Sequence, residues 1–432
     1  MITSKKEYRV FSLLLLIVIF TMPVLARDTQ LSEYLEMAAQ NNPEIQGLFY
    51  EYRSILEQVP QVGTLPDPEV MFMYFVNPQT YSHPLSRITA SLSQSFPWFG
   101  SLGKAEKRVQ NLAEARLADF INARNEVFRD VKEIWFRMHE TRHHVSILRE
   151  NLELLSMLES TALTLYETGQ SGQVDVIRLQ MESDKIETRI EQMTGNLEPL
   201  QVEFNMLLNR GPDEKINMAA SMEHKTLTIA PDEILQRIQE QNPRISRLDH
   251  QRQASRYALE EARLKGRPSF GVGVEVMSPD YMYMPMMPGE GYGVVAKVSV
   301  RVPLYRSRYK GQKQEARLAI RSIEKQKTET ANRLLADAKK HLQEYRDAQH
   351  RISLYEDKLI PKTRQALEIS VEAYTTETGM FEELIQLQQQ ILDYEMLLNT
   401  AYVQKNIAIA RLESLYGMYN VTTEQIEFYN SQ

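Results

Sequence analysis

Two stretches of this chain, about 200 residues apart, carry the same landmarks in the same order, and that repetition limits the fold more than any other feature. Glu36–Pro43 ends an amphipathic segment on Asn42-Pro43, and Leu235–Pro243 ends another on Asn242-Pro243. Ser95-Phe96-Pro97-Trp98-Phe99 is answered by Arg301-Val302-Pro303-Leu304-Tyr305. Tyr166–Gln180 aligns without a gap on Tyr374–Gln388, and both contain Ile-x-Leu-Gln, at Ile177–Gln180 and Ile385–Gln388. Gly211 and Gly417 close the two halves. A tandem duplication is expected, with one repeat over 27–217 and a second over 218–432.

Each half reads as a helix (about 31–59 and 231–264), two strands, a very long helix, a sharp break and a returning helix. The strands alternate. Ile88, Ala90, Leu92 and Phe96 share one face, and Thr89, Ser91, Ser93 and Ser95 the other. In the second half Tyr292, Val294, Ala296, Val298, Val300 and Val302 oppose Gly293, Val295, Lys297, Ser299 and Arg301. Phe270, Val272, Val274 and Val276 continue the pattern, while Val70–Val76 is apolar on both faces. A period of two puts the apolar set on one side of a sheet.

The long segments carry a heptad. Positions 127, 131, 134, 138, 141, 145, 148, 152, 155, 159, 162 and 166 step by four and three, and only Thr141 and Glu159 are polar. Without a proline from Ser101 to Thr168, this helix would run roughly 100 Å. The partner stretch, 307–378, contains Pro361 and a weaker seam of Ala331, Leu335, Ala338, Leu342, Tyr345, Ile352, Leu359 and Ala366. The fold class is α+β, a duplicated repeat of long coiled-coil helices and two strands.

The 432 residues include no cysteine, which excludes disulfides, thiolate metal sites and a cysteine nucleophile. A net charge of −7 gives no basic footprint for nucleic acid. Residues 1–26 read as a secretory signal: Lys5, Lys6 and Arg9, then the apolar run Phe11–Phe20, then Val24-Leu25-Ala26 before Arg27. The sheet is therefore expected in a secreted, periplasmic or membrane-inserted protein. Four strands cannot close a membrane barrel, and open edges are not tolerated in lipid. If the strands meet lipid the chain must associate, and a cyclic oligomer leaves no edge free.

These tandem repeats resemble the TolC-type outer-membrane efflux family over essentially the whole mature chain. The resemblance implies a homotrimer in the outer membrane of a Gram-negative bacterium, with a twelve-stranded β-barrel continued by an α-helical barrel in the periplasm. It implies a passive exit duct for drugs or metal ions in a tripartite efflux or secretion system, without enzymatic activity or cofactor. The partners would be outer-membrane lipid, a periplasmic adaptor of the membrane-fusion type and an inner-membrane pump. Loops 77–87 and 278–291 would be extracellular. The break at Gly169–Val176 would be the periplasmic tip, where the channel narrows and meets its adaptor. Asp175, and through the internal alignment Glu383 with its neighbour Glu382, would line the constriction, with Gly169, Gly172 and Gly379 permitting the reversal and the adaptor contact. Gln386 stands where the family often has a further acid. The lipid-modified cysteine common in the family has no counterpart.

Two other motifs carry chemistry. His139-Glu140-Thr141-Arg142-His143 is formally H-E-x-x-H, the helical zinc-protease pattern, with His144 adjacent. It lies inside the strongest heptad and lacks a third ligand and a pocket in the sequence, so metal binding by His139 and His143 is the minor reading. The run Tyr281–Pro288 offers thioethers at Met282, Met284, Met286 and Met287, a set suited to Cu(I) but also to a flexible apolar loop. A periplasmic coiled-coil scaffold or adhesin without a pore remains the alternative function.

Overall fold

Each Asn-Pro step splits what the periodicity reads as one helix. The computed structural model describes residues 29–74, 88–219, 221–277, 293–376 and 381–417. The signal segment, the Met-rich run, the loops 77–87 and 278–291, and Gly379 lie outside the described residues. In the first half α1 (Thr29–Asn41), α2 (Pro43–Leu56) and α3 (Gln58–Gly63) replace the single helix expected over 31–59. In the second, α7 (Pro231–Gln241) and α8 (Pro243–Lys265) replace the one expected over 231–264. A residue before proline is disfavoured in the α region, and Asn42 and Asn242 are extended, with ψ of 123° and 128°. Each amide then acts twice. Asn42 Oδ1 accepts from the Glu44 and Ile45 N–H groups at the start of α2, and its Nδ2 donates to the Leu207 carbonyl at 2.9 Å. Asn242 Oδ1 accepts from Arg244 N–H, and its Nδ2 donates to the Leu415 carbonyl at 2.7 Å. The shared sequence landmark is thus one device used in both halves, a cap that also ties down the end of a returning helix.

Four antiparallel strands form one sheet in the order β1 (Glu69–Tyr74), β2 (Ile88–Phe96), β3 (Ser269–Met277) and β4 (Gly293–Arg301). Register places Leu92 opposite Val70 and Val274, and Val272 opposite Gln94 and Val298. One face therefore holds Val70, Phe72, Ala90, Leu92, Val274, Ala296, Val298 and Val300, with Gln94 as its polar interruption. The other holds Thr89, Ser91, Ser93, Ser95, Ser299 and Arg301, and on it Lys297 pairs with Glu275. The alternation is as expected, and β1 is a strand. Among the described residues nothing covers the apolar side: Val298 is 79% exposed.

The strands run into the helices without changing their lateral order. β2 leads to α4 (Ser101–Glu167), 67 residues long, and β4 leads to α9 (Arg306–Leu354). α2 and α3 lead to β1, and α8 leads to β3. α4 packs along α2 and α8, and α8 along α9, so the helices repeat the order of the strands they join. Farther from the sheet, α5 (Gln173–Gly195) and α6 (Leu197–Leu207) take the place of α2 beside α4. There α11 (Phe381–Tyr416) takes the place of α8, between α4 on one side and α9 and α10 (Ile360–Thr375) on the other. The wall is four elements wide in the sheet and in both helical sections.

The first seam is buried as its heptad requires from Val127 to Ala162, with half-exposed turns at Thr141, Leu152 and Glu159. Its polar entries are satisfied locally: Thr141 donates to the Arg137 carbonyl and Glu159 accepts from Gln180. The second seam holds at Ala338, Leu342 and Tyr345 and then slips. Past a π-helical turn at Tyr355–Leu359 the buried positions are Ile360, Thr363, Leu367, Ser370 and Tyr374, one residue beyond the expected 359 and 366. A π turn inserts one residue, which accounts for the slip. It spans Asp357, whose carbonyl a proline at 361 would crowd in a regular helix. α11 braces the turn through Tyr402, whose hydroxyl donates to Glu356 at 2.7 Å. Burial and that bond push the Tyr402 pKa up to about 12.

Midway along α4, Trp135 is fully buried against Tyr34 of α1 and Phe204 of α6, at ring distances of 5.6 and 5.8 Å. A second cluster, with Leu148, Leu155, Leu179 and Leu384, joins the far ends of the helices. Asn42→Ala and Asn242→Ala are each expected to destabilise the fold by about 1–3 kcal/mol, since each removes a cap and leaves a helix-end carbonyl without its donor. Chemical unfolding of the single and double variants checks this; an unchanged midpoint in either single variant would refute the dual role.

Candidate functional site

The far end of the wall is built from two helical reversals lying side by side. α4 stops at Glu167 and Gly169 takes φ +70°, the left-handed region. Gln170 N–H then reaches the Leu165 carbonyl at 2.7 Å and Gly169 N–H the Tyr166 carbonyl at 3.0 Å, the two bonds of a Schellman C-cap. Gly172 begins α5 with φ −88° and ψ 149°, extended backbone that any residue adopts. The reversal therefore draws on Gly169, and the expectation that Gly172 supplies special backbone freedom is not met. A Cβ at Gly172 would meet nothing closer than 4.0 Å.

Asp175 occupies the first turn of α5, and Glu382 and Glu383 the first turn of α11. All three sit at helix starts, where the unpaired N–H groups favour negative charge. The hairpins meet through Val176, Leu179, Tyr374, Phe381 and Leu384, with the Tyr374 and Phe381 rings 5.5 Å apart. Arg178, one turn beyond Asp175, reaches across to Glu382 at 3.6 Å. Glu383 is exposed and forms no ion pair among the described residues. Asp175 is half-buried, and desolvation holds its carboxyl above the usual range, with Arg178 opposing the shift. Its burial thus weakens the fold above the raised pKa, and that penalty fades as pH falls and the carboxyl is protonated. Arg178 is the tip residue that sequence reasoning misses: nothing in a single hairpin shows that a cation there faces the other one.

The H-E-x-x-H residues do not converge. His139 is buried with its ring edge against Trp135 at 5.1 Å, whereas His143 is exposed. Glu140 accepts from the Thr400 hydroxyl at 2.6 Å. His144 Nε2 lies 3.1 Å from the Met396 carbonyl, and burial pushes its pKa down. His139 and His143 do border a cleft of about 600 Å³ that also takes Met218, Met222 and His224 from the segment between α6 and α7. Among the described residues no group of three histidine, aspartate or glutamate side chains is placed to hold a metal ion. No described helix is long and apolar enough to cross a membrane.

Gly169→Ala is expected to cost about 1–2 kcal/mol, because it forces a side chain into the left-handed region, while Gly172→Ala is expected to be neutral or mildly stabilising. Amide exchange at the turn and thermal unfolding separate the two. Equal effects at both positions would contradict the geometry.

Solved structures share this arrangement at low sequence identity. The outer-membrane protein VceC from Vibrio cholerae matches with a TM-score of 0.73 at 16% identity, over 90% of this chain and 96% of its own. CusC, whose crystal structures concern folding and transmembrane channel formation, matches at 0.74 and 13%, over 90% and 92%. The CmeC outer membrane channel of Campylobacter jejuni matches at 0.71 and 15%, over 93% and 89%. No protein-family model matches the sequence, and no curated protein matches it. The chain has the fold of the TolC-type outer-membrane efflux channels.

Proposed function

We propose that the chain is one subunit of a passive outer-membrane exit duct, closed by two further copies into a twelve-stranded barrel and a helical tunnel. One observation supports this most: among the described residues the wall has an uncovered apolar sheet face together with two unpaired strand edges, β1 and β4. Lipid would cover the face, and pairing of β4 with β1 of the next copy would remove every edge. The two repeats would then each supply half of a subunit's wall. A periplasmic scaffold without a pore would leave Val272, Val298 and Val300 in water, which disfavours that reading. The duct performs no chemistry; a zinc-hydrolase reading is disfavoured because His139 is buried against Trp135 while His143 is exposed.

In this reading the tips meet on the axis. Asp175 and Glu383 line the constriction, Glu382 is held back by Arg178, and Gly169, Gly172 and Gly379 belong to the surface offered to a periplasmic adaptor, with an inner-membrane pump beyond it. Drugs and metal ions are the two substrate classes the duct would serve.

Arginine at Val298, on the lipid side, is expected to cost about 2–4 kcal/mol near the bilayer midplane, while arginine at Ser299, on the lumen side, is tolerated. Yield of heat-resistant trimer from outer membranes measures both; equal tolerance would sink the assignment of faces. Acid rings favour cations in a pore. Replacing Asp175 and Glu383 together by alanine should lower cation preference and weaken divalent block in planar-bilayer recordings. Wild-type conductance, selectivity and block in that variant would move the gate elsewhere.

A further inference from the structure

Where the sheet meets the helices there is a cleft of about 760 Å³ that the duct reading does not use. Its strand residues, Ser95, Ser269 and Arg301, all belong to the polar face of the sheet, and Ser269 stands directly opposite Arg301. The cleft therefore lies on the side assigned to the lumen. Although the chain as a whole carries −7, five cations line this cleft against one carboxylate. That carboxylate, the buried Glu261, is taken up by Arg108 and Lys265 at 2.9 and 2.7 Å. Arg267, Arg301 and Arg308 are exposed and form no ion pair among the described residues. Two helix starts add to the positive field. Negative charge is favoured at a helix start, yet α9 opens on Arg306 and Arg308, and neither α4 nor α9 has an acid in its first turn or a side-chain cap. Ser101, the first residue of α4, is 6% exposed and lines the cleft, and its hydroxyl makes no hydrogen bond among the described residues.

We propose that this cleft seats an organic anion, a carboxylate or sulfonate on a flat apolar body, held in passage by Arg267, Arg301 and Arg308. Its place in the lumen rests on the duct reading. Three unpaired guanidiniums and two helix starts gather like charge around one cleft, and an anion supplies the partner they lack. A guanidinium presents a planar fork of donors that matches the oxygens of a carboxylate or sulfonate. The volume favours an organic body over a bare ion, since it lies in the range of clefts that hold drug-sized molecules. The lining favours a flat, apolar one. Trp98 is half-buried beneath the Arg267 guanidinium, 5.8 Å from its ring centroid, and Leu304 and Tyr305 are 78% and 82% exposed. Under closure three such seats would ring the lumen between sheet and helices, opposite in charge to the acids at the tips.

The test is isothermal titration calorimetry of the purified full chain in non-ionic detergent with naphthalene-2-sulfonate, its uncharged sulfonamide, and sulfate. The sulfonate should bind about tenfold more tightly than the sulfonamide, as charge-assisted contacts would give, and equimolar sulfate should not displace it. Arg267→Gln/Arg301→Gln/Arg308→Gln should abolish the preference, whereas Arg306→Gln, outside the cleft, should retain it. Arg301→Gln alone should lose part of it, which keeps the test decisive where the triple variant fails to fold. Equal binding of sulfonate and sulfonamide by wild type, an undiminished preference in Arg301→Gln, or an equal loss in Arg306→Gln would overturn the seat. Displacement by sulfate would make it a small-ion site and overturn the organic assignment. Planar-bilayer recordings separate the seat from the duct reading. Sulfonate added on the side of the sheet should interrupt the current of wild type and spare that of the triple variant. Absence of channels defeats the duct reading and the lumenal placement together, whereas conducting channels that bind the sulfonate without interruption defeat the placement alone.

Discussion

The sheet of the described residues, with one bare apolar face and two unpaired edges, makes demands that no single solvent meets. Water satisfies the N–H and C=O groups along β1 and β4 but leaves the valine face of β3 and β4 exposed, at about 25 cal/mol for each Å² that could be buried. Hydrocarbon satisfies the face but not the edges, where each unpaired backbone group costs several kcal/mol. Lateral closure inside a bilayer satisfies both. Because the helices keep the order of the strands, the free edges continue downward from β1 into α2 and from β4 into α9. Closure at the sheet would therefore bring the helical edges together as well, and a barrel above implies a tunnel below.

Equal numbers of strands and helices do not make equal widths. Strands lie about 4.8 Å apart, and a barrel tilt of about 40° spreads them to roughly 6 Å along the rim. Packed helices lie about 8–10 Å apart. In a closed wall the circumference would have to grow where one becomes the other, at Pro97-Trp98 and Pro303-Leu304-Tyr305. Proline suits that step because it ends a strand without leaving a donor unpaired. Large rings suit it because they fill space that diverging backbones open. A cleft of about 760 Å³ lies at this junction, between the strand ends and the helix starts.

How much of this is legible in the sequence depends on the range of the interaction. The Asn-Pro hinges, the strand alternation and the unbroken α4 are local, and each is written in residue spacing. The apolar faces are legible because pairing only has to respect a period of two. The π turn is not, since Pro361 alone permits either a kink or a wide turn, and Tyr402, distant in sequence, braces the turn through Glu356. Asp175 and Glu383 can be placed at helix starts from the repeat alone. Arg178 cannot be placed against Glu382 until two hairpins are known to be neighbours. Gly172 misleads for a different reason: a glycine in a turn does not announce its φ, and of Gly169 and Gly172 it is Gly169 that uses the left-handed region.

The contact between α4 and α11 raises the question of why a seam rich in leucine also buries polar groups. Lys132 and Glu413 pair at 2.5 Å in the interior, Gln388 donates to Asn151 at 2.6 Å, and Arg411 grips Glu133 with two bonds of 2.8 and 2.9 Å. Such pairs contribute little net stability, because desolvation offsets most of the attraction. They are costly to break, however, at about 3–5 kcal/mol when one buried charge is left alone. A leucine seam tolerates sliding by a heptad, since every layer looks alike. Sliding α11 along α4 by one heptad would separate Lys132 from Glu413 and Asn151 from Gln388 at once. The buried polar contacts therefore set the register of two helices whose apolar faces alone would leave it open, and with it the height at which the α11 tip, carrying Glu382 and Glu383, stands beside the tip of α5.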